Sequence, residues 1–216
     1  MNIHSIIGKG YDSNIFVIDG EKPTVIDTGT GMNTAHVISE MNGVIDVETI
    51  SQIILTHEHF DHVGGVKQIF EASNKQAKIL AHTAAAEKIE KGESMFASLL
   101  GKKMPKVTIT QKLADGETLQ IGDNLFNVLS TPGHTPGCIC LYDKETQTLF
   151  SGDTLFANGS FGRTDLPGGN RKELKASIRR LSTLEISRLY PGHEMVVEDD
   201  ADKHVRMAVK NVNYFG

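Results

Sequence analysis

The sequence predicts an α/β fold in which two β-sheets carry helices on their outer faces. Short apolar runs of strand length alternate with segments whose apolar residues recur every three or four positions, the period of a helix. This alternation continues through both halves of the 216-residue chain. No linker rich in Pro, Gly or Ser separates the halves, so we predict a single domain over residues 1–216.

Five strands and two helices are predicted in the first half of the chain. The strands are short runs rich in Ile, Val and Leu, several of which end at turn residues. They lie at 5–8, 14–19, 23–29, 51–57 and 77–82. Segment 64–74 has helical spacing, and segment 83–92 begins with Thr and ends with Gly, as helices often do. Residues 91–105 give a weaker signal, and we expect a helix or a lid-like loop there.

The second half is predicted to be richer in strands. Strand-like runs joined by turn residues lie at 106–113, 117–131, 138–143, 148–156 and 187–194. Segment 171–184 places Leu174, Ile178 and Leu181 on one stripe, which indicates a helix. A final helix is predicted within 199–215.

Composition and charge restrict the class of protein. The formal net charge of −5 argues against nucleic acid or an anionic membrane as a partner. The two cysteines, Cys138 and Cys140, are too close in sequence for a cross-link between elements, so we predict reduced core residues. The N-terminus lacks an export-signal pattern, and no run reaches the ~20 apolar residues of a membrane span. We therefore expect a cytoplasmic protein.

Four residues able to bind a metal stand within six positions directly after a predicted strand. They are His57, His59, Asp61 and His62. Packing is a poor explanation, because buried imidazoles and carboxylates lose hydration and need partners in return. A metal ion could compensate all four.

Three further donors, His134, Asp153 and His193, each follow a predicted strand in a Gly-containing turn. Loops at strand ends are where rigid scaffolds present functional side chains. A catalytic zinc needs three protein ligands and an open position, so seven donors suit two ions that share one carboxylate. Nitrogen and carboxylate oxygen donors suit zinc, iron or manganese, and the lack of thiolate argues against a closed structural zinc site.

The stretch THEHFDHVGG resembles the T-H-x-H-x-D-H-x-x-G signature of the metallo-β-lactamase-fold superfamily. The runs VIDTG, TPGHTPG, SGDTLF and YPGHE match the family's other motifs in order. The resemblance implies a four-layer αβ/βα sandwich of two mixed sheets with helices on the outer faces, and two metals at one edge. It assigns His57, His59 and His134 to the first metal, Asp61, His62 and His193 to the second, and Asp153 as the bridge. Asp27 resembles the family's Asp that orients a ligand from outside the metal shell.

Two bound metals would lower the pKa of a bridging water, and the resulting hydroxide would attack a carbonyl carbon. Asp61 would orient the hydroxide and Asp153 would hold both metals. The stretch GDTLFANGSFGRTDLPGG is similar to small glyoxalase II-like proteins, which hydrolyse thioesters of glutathione to a hydroxy acid and a free thiol. This resemblance implies two divalent ions, zinc before iron or manganese, and a small-molecule thioester substrate. We expect a monomer or a homodimer.

One other branch resembles the chain as well. Persulfide dioxygenases share the G-R-T-D run and use one iron, held by the equivalents of His57, His134 and Asp153, to oxidise a thiol persulfide. A non-catalytic binding module is a third possibility, but such a module would not need a complete set of metal ligands. Arg163 could pair with a substrate carboxylate or with Asp165, and Phe161 could form an apolar wall or belong to the core.

Overall fold

The computed structural model describes residues 2–214, without the side chains of residues 95 and 96. Two compact units make up the chain. The first unit runs to Leu113 and includes Gln120–Leu125, and the second contains Ala114–Leu119 and continues from Phe126. The single domain over 1–216 stays a prediction.

The first unit contains a six-stranded mixed sheet whose strands follow chain order. The strands are β1 (Ile3–Ile6), β2 (Ile15–Ile18), β3 (Thr24–Ile26), β4 (Gln52–Leu55), β5 (Lys78–His82) and β6 (Gln111–Leu113). The first three pair antiparallel, whereas β3 to β6 pair parallel, so these four strands end at the same edge of the sheet. Every residue of β2, β3 and β4 is buried, which explains their unbroken apolar runs.

Parallel pairing requires crossover connections, and helices lie in all three of those that join β3 to β6. These helices are α1 (Thr34–Asn42), α2 (Phe60–Val63), α3 (Val66–Ala72), α4 (Thr83–Lys91) and α5 (Met95–Leu99). The predicted stop of α4 is confirmed, because Gly92 adopts a left-handed φ of 70° and its amide closes the last turn. Apolar residues from the sheet and the helices form one core that includes Val25, Ile53 and Ile79.

The second unit contains most of a five-stranded mixed sheet, whose strands are β7 (Thr118–Ile121), β8 (Asn124–Ser130), β9 (Ile139–Asp143), β10 (Thr148–Gly152) and β11 (Arg188–Pro191). Their order in the sheet is β11-β10-β9-β8-β7. Strands β10 and β11 are parallel neighbours, so both end at one edge. Helix α6 (Arg171–Leu181) buries Leu174, Ile178 and Leu181, the stripe predicted from the sequence. Helix α7 (Asp202–Tyr214) completes the unit, and the last position of that prediction, 215, lies outside the described residues.

Two helices were not predicted, and one predicted strand was too long. Helix α1 was not predicted, because it buries only Val37 and Met41 and so carries almost no periodic signal. Helix α2 was missed because its four residues are largely ligand-type side chains. Of the strand predicted at 106–113, only Gln111–Leu113 is a strand, and the Ile109 amide donates to Glu90 Oε1 (3.2 Å) instead of a neighbouring strand.

Cys138 and Cys140 are buried and form no disulfide, as predicted, and burial raises the pKa of the Cys140 thiol to about 11. No helix within residues 2–214 combines the length and the apolar character needed to cross a bilayer. The cytoplasmic location stays a prediction.

Candidate metal centre

In the first unit, strand β4 leads directly into the histidine-rich loop. The strand ends at Leu55, and Thr56 to His59 follow at the edge where β3 and β5 also end. Helix α2 then begins and carries Asp61 and His62 in its single turn. His57 and His62 are fully buried, whereas His59 and Asp61 are partly exposed.

The four predicted donors of this loop lie close together. His57 Nε2 is 3.1 Å from His59 Nδ1, and the rings of His57 and His62 are 4.1 Å apart between centroids. His62 Nε2 is 3.8 Å from Asp61 Oδ2. Two imidazole nitrogens on one tetrahedral zinc would be about 3.3 Å apart, given a Zn–N bond of about 2.0–2.1 Å. The spacing of His57 and His59 therefore fits two ligands of one ion.

Asp27, at the end of β3, fixes the orientation of His62. Its carboxylate accepts from the Thr56 amide (2.8 Å) and the Thr56 hydroxyl (2.8 Å), and Oδ2 lies 2.8 Å from His62 Nδ1. Because a carboxylate only accepts, Nδ1 carries the hydrogen and Nε2 keeps its lone pair for a metal. Asp27 is buried and has a left-handed φ of 59°, a conformation that Asp tolerates better than most residues.

Glycines bring the Asp27 loop against helix α2. A Cβ at Gly64 would lie 2.2 Å from the Thr30 carbonyl oxygen, and one at Gly65 would lie 2.2 Å from the Thr28 oxygen. The Thr28 hydroxyl donates to the His62 carbonyl at 2.7 Å. These contacts explain why VIDTG and HVGG occur together in this sequence: the two backbones approach more closely than any side chain allows.

One contact of this loop was not predicted from the sequence. Glu58, between two ligand-type histidines, is only 4% exposed, and Lys88 of α4 donates to its Oε1 at 2.7 Å. The pair ties the loop to α4. Thirty positions separate the two residues, so no local pattern could have revealed the pair.

In the second unit, Asp153 is the point at which the other predicted donors converge. Asp153 and His193 follow the parallel strands β10 and β11, and His134 follows β8. Asp153 Oδ2 lies 3.4 Å from His134 Nε2 and 3.7 Å from His193 Nε2. One carboxylate oxygen therefore neighbours two imidazole nitrogens, as a shared ligand would.

Backbone contacts hold His134 in place. Its Nδ1 donates to the Arg163 carbonyl at 2.7 Å, which leaves Nε2 as the acceptor. A Cβ at Gly162 would lie 2.1 Å from the Asp153 carbonyl oxygen and 2.8 Å from His134 Nδ1, so this position requires glycine. Gly133, before His134, accepts from the Asn170 amide at 2.7 Å, which joins the turn to the start of α6.

The two residues predicted to touch substrate have protein partners in the second unit. Arg163 forms a bidentate pair with Asp165, at 2.7 Å from Nε and 2.6 Å from Nη2, and both side chains are exposed. Phe161 packs against the second core, with the Arg171 guanidinium 5.3 Å from its ring centroid. Their roles in substrate binding stay predictions.

The four histidines that match no motif make other contacts. His82 accepts from the Ala84 amide at the start of α4, and His204 accepts from the Asn158 amide at 2.7 Å. Burial lowers the pKa of His204. His36 lies 3.2 Å from Lys9, and His4 lies 3.9 Å from Glu40. None of these contacts joins them to the ligand-type residues.

The donor set as a whole suits divalent metals. In each unit the ring nitrogens and carboxylate oxygens lie at short distances, and in His62 and His134 a fixed Nδ1–H leaves Nε2 as the donor atom. Nitrogen and oxygen donors of this kind favour zinc, iron or manganese, and neither buried cysteine is among them.

The sequence of this chain is similar to a known protein family and to individual proteins. Residues 8–193 match the family described as the metallo-beta-lactamase superfamily. A probable metallo-hydrolase of Methanocaldococcus jannaschii is 32% identical over 211 residues, which cover 94% of this chain and 97% of that protein. A human acyl-coenzyme A thioesterase, MBLAC2, is 27% identical over 216 residues, covering 86% of this chain and 74% of its own.

Solved structures agree with these sequence matches. The crystal structure of the B3 metallo-beta-lactamase BLEG-1 is similar with a TM-score of 0.80 and 28% identity, over 95% of this chain and 99% of that one. A di-iron-bound form of TTHA1623 is similar with a TM-score of 0.74 and 33% identity, over 90% of this chain and 93% of that one. The predicted fold class is confirmed.

Proposed function

The chain belongs to the metallo-β-lactamase superfamily, and from this premise we propose that it is a dinuclear metallohydrolase of the glyoxalase II type. Its substrate is a small-molecule thioester. The observation that carries the proposal is the position of Asp153, whose Oδ2 neighbours both His134 Nε2 and His193 Nε2. A carboxylate oxygen between two imidazoles is suited to sharing by two ions.

All seven donors take part in this proposal. His57, His59 and His134 would hold the first metal, Asp61, His62 and His193 would hold the second, and Asp153 would be shared. When bound, the two ions lower the pKa of water and polarise the thioester carbonyl. Zinc is the first candidate, and iron is supported by the di-iron form of a relative that is 33% identical.

The chain's own residues position the reactants. Asp61, on the first turn of α2, accepts a hydrogen bond from the attacking water and aims it at the carbonyl carbon. Asp27 keeps His62 in the tautomer that exposes Nε2, and the Arg163 carbonyl does the same for His134. The water oxygen bonds to the carbonyl carbon and gives up one proton, the C–S bond breaks, and the leaving thiolate takes up that proton. The products are an acid and a thiol.

Thioesters are the favoured substrates for two reasons. The relative MBLAC2 is an acyl-coenzyme A thioesterase, and the stretch after Asp153 resembles small glyoxalase II-like proteins. Arg163 is exposed and could exchange Asp165 for a substrate carboxylate, with Phe161 beside it as an apolar wall.

Thiol release tests the proposal directly. We expect the purified protein to release thiol from S-lactoylglutathione or from an acyl-coenzyme A, to lose this activity in a chelator, and to regain it with zinc or ferrous ion. The matched control is chelator treatment followed by magnesium alone, which His-rich sites bind weakly. Metal-loaded protein that hydrolyses no thioester but consumes oxygen with glutathione persulfide would instead be a persulfide dioxygenase.

A further inference from the structure

A groove of ≈ 440 Å³ lies beside helices α2 and α3 in the first unit. The loop Thr30 to Met32, which follows Asp27, lines it. Phe60 and Gly64, at the two ends of α2, also line it, as do Lys102, Lys103 and Pro105. Its volume is within the range of about 300–1,000 Å³ typical of small-molecule sites.

Positive charge dominates the groove. Its charged lining residues are Lys67, Lys102, Lys103 and Glu71, a net charge of +2 on a chain whose formal net charge is −5. All three lysines are exposed, and within residues 2–214 none of them forms an ion pair. An unpaired cluster of lysines on an acidic protein attracts a polyanion.

The lining also contains apolar residues and glycines. Met32 is 43% exposed although it is a large apolar residue, and Pro105 also lines the groove. A Cβ at Gly31 would lie 2.7 Å from the Gly64 carbonyl oxygen, so the loop Thr30 to Met32 and α2 are in backbone contact. The groove therefore combines apolar side chains with the three ammonium groups.

The groove lies beside α2, the helix that carries two of the candidate ligands. Phe60 and Gly64, which line it, directly flank the α2 turn that carries Asp61 and His62. If the acyl end of a thioester lies at these ligands, the thiol portion of the substrate could extend along α2 into the groove. Glutathione has no phosphate to offer the lysines, whereas coenzyme A ends in an adenosine with phosphate groups.

We propose that this groove binds the phosphate-bearing nucleotide end of a coenzyme A thioester. Lys67, Lys102 and Lys103 contact the phosphates, and Met32 and Pro105 contact the adenine. The proposal rests on the proposed thioesterase function and specifies its thiol as a nucleotide-bearing one. Lysine is suited to this role because its ammonium acts as a mobile point charge toward phosphate.

The test compares two triple variants. The first is Lys67→Gln with Lys102→Gln and Lys103→Gln. The matched control is Lys75→Gln with Lys78→Gln and Lys91→Gln, three exposed lysines of the same unit that lie outside the groove. Both variants change the net charge by the same amount. Adenosine 3′,5′-bisphosphate binding is measured by calorimetry, and KM and kcat are measured for acetyl-coenzyme A and for S-acetylpantetheine, which lacks the nucleotide.

The groove variant should bind the bisphosphate about tenfold more weakly and raise KM for acetyl-coenzyme A by about as much. Its kcat and its KM for S-acetylpantetheine should not change. The control should stay within about twofold of wild type, and added salt should weaken bisphosphate binding to wild type most strongly.

Equal bisphosphate affinity in the two triple variants would overturn the proposal. Tighter binding of a single-stranded oligonucleotide through the same lysines would also overturn it, because the groove would then serve nucleic acid. Calorimetry measures binding without turnover, so it tests the groove proposal independently of the thioesterase proposal. If the bisphosphate binds through the lysines but no thioester is hydrolysed, the groove proposal is supported and the thioesterase proposal is refuted. If S-acetylpantetheine is hydrolysed but the bisphosphate does not bind, the thioesterase proposal is supported and the groove proposal is refuted.

Discussion

Replacement of Asp61 by alanine should lower kcat for thioester hydrolysis by about 10³-fold. The carboxylate is proposed both to bind the second metal and to orient the attacking water, and alanine can do neither. The fold should be retained, because the Asp61 side chain is 17% exposed and its carbonyl still accepts from the Ser13 amide at 3.1 Å. Steady-state kinetics and a thermal melt on the same preparation measure both effects.

Glu87→Ala is the matched control for this prediction. Glu87 is an exposed carboxylate on α4 of the same unit and lies outside the donor set. It should leave kcat within about twofold of wild type. If Asp61→Ala retained wild-type kcat, water activation by this carboxylate would be refuted. If it unfolded the protein, Asp61→Asn would replace it in the comparison.

Asp27→Ala should destabilise the protein by about 3–4 kcal/mol and weaken metal binding by about 10–100-fold. The variant removes the acceptor of two hydrogen bonds from Thr56 and of one from His62, all at 2.8 Å in a buried site. Alanine also tolerates the left-handed φ of 59° poorly. Chemical denaturation measures the first loss and metal titration the second.

Asp27→Asn separates the two effects. Asparagine accepts the left-handed backbone and can still accept from the Thr56 amide through its oxygen. Its amide group then faces His62 Nδ1 and favours the tautomer with the hydrogen on Nε2, so metal affinity should fall while stability is largely kept. Asp143→Asn is the control. Asp143 is also a buried carboxylate, only 1% exposed, and it accepts hydrogen bonds within the turn at residues 143–146. Unchanged metal affinity in Asp27→Asn would refute the orienting role.

The ligand-type residues could be predicted from the sequence because their signal is local. His57, His59, Asp61 and His62 stand within six positions at the end of one buried strand. His134, Asp153 and His193 each follow a strand and a glycine, so their place at a sheet edge was predictable. The structure brings the first four together and the last three together, each set within its own unit.

The contacts that hold these ligands could not be predicted, because they join residues far apart in the chain. Lys88 reaches Glu58 from the helix after the next strand. Gly162 fits against Asp153 and His134 only once the loop has folded back, and a lone glycine in FGR gives no sign of this. The carbonyl of Arg163, not its guanidinium, contacts His134. Every residue has a backbone carbonyl, so such a contact cannot be predicted from the type of residue.

Errors in the fold have a similar cause. Helix α1 has two buried residues, so tertiary packing determines it more than periodicity does. In the segment before β6, Val107 packs against the core and the Ile109 amide is satisfied by Glu90, so its alternating pattern does not report strand pairing. Burial, not pairing, explains that apolar pattern.

The central claim is that seven side chains hold two divalent metals for hydrolysis, and the metal content of the purified protein tests it most directly. Elemental analysis of protein prepared without chelator and without added metal should find about two ions per chain, as zinc or as a mixture with iron or manganese. Asp153→Ala should lose most of both. A single iron per chain, with a second site that added zinc does not fill, would contradict the claim and favour persulfide oxidation.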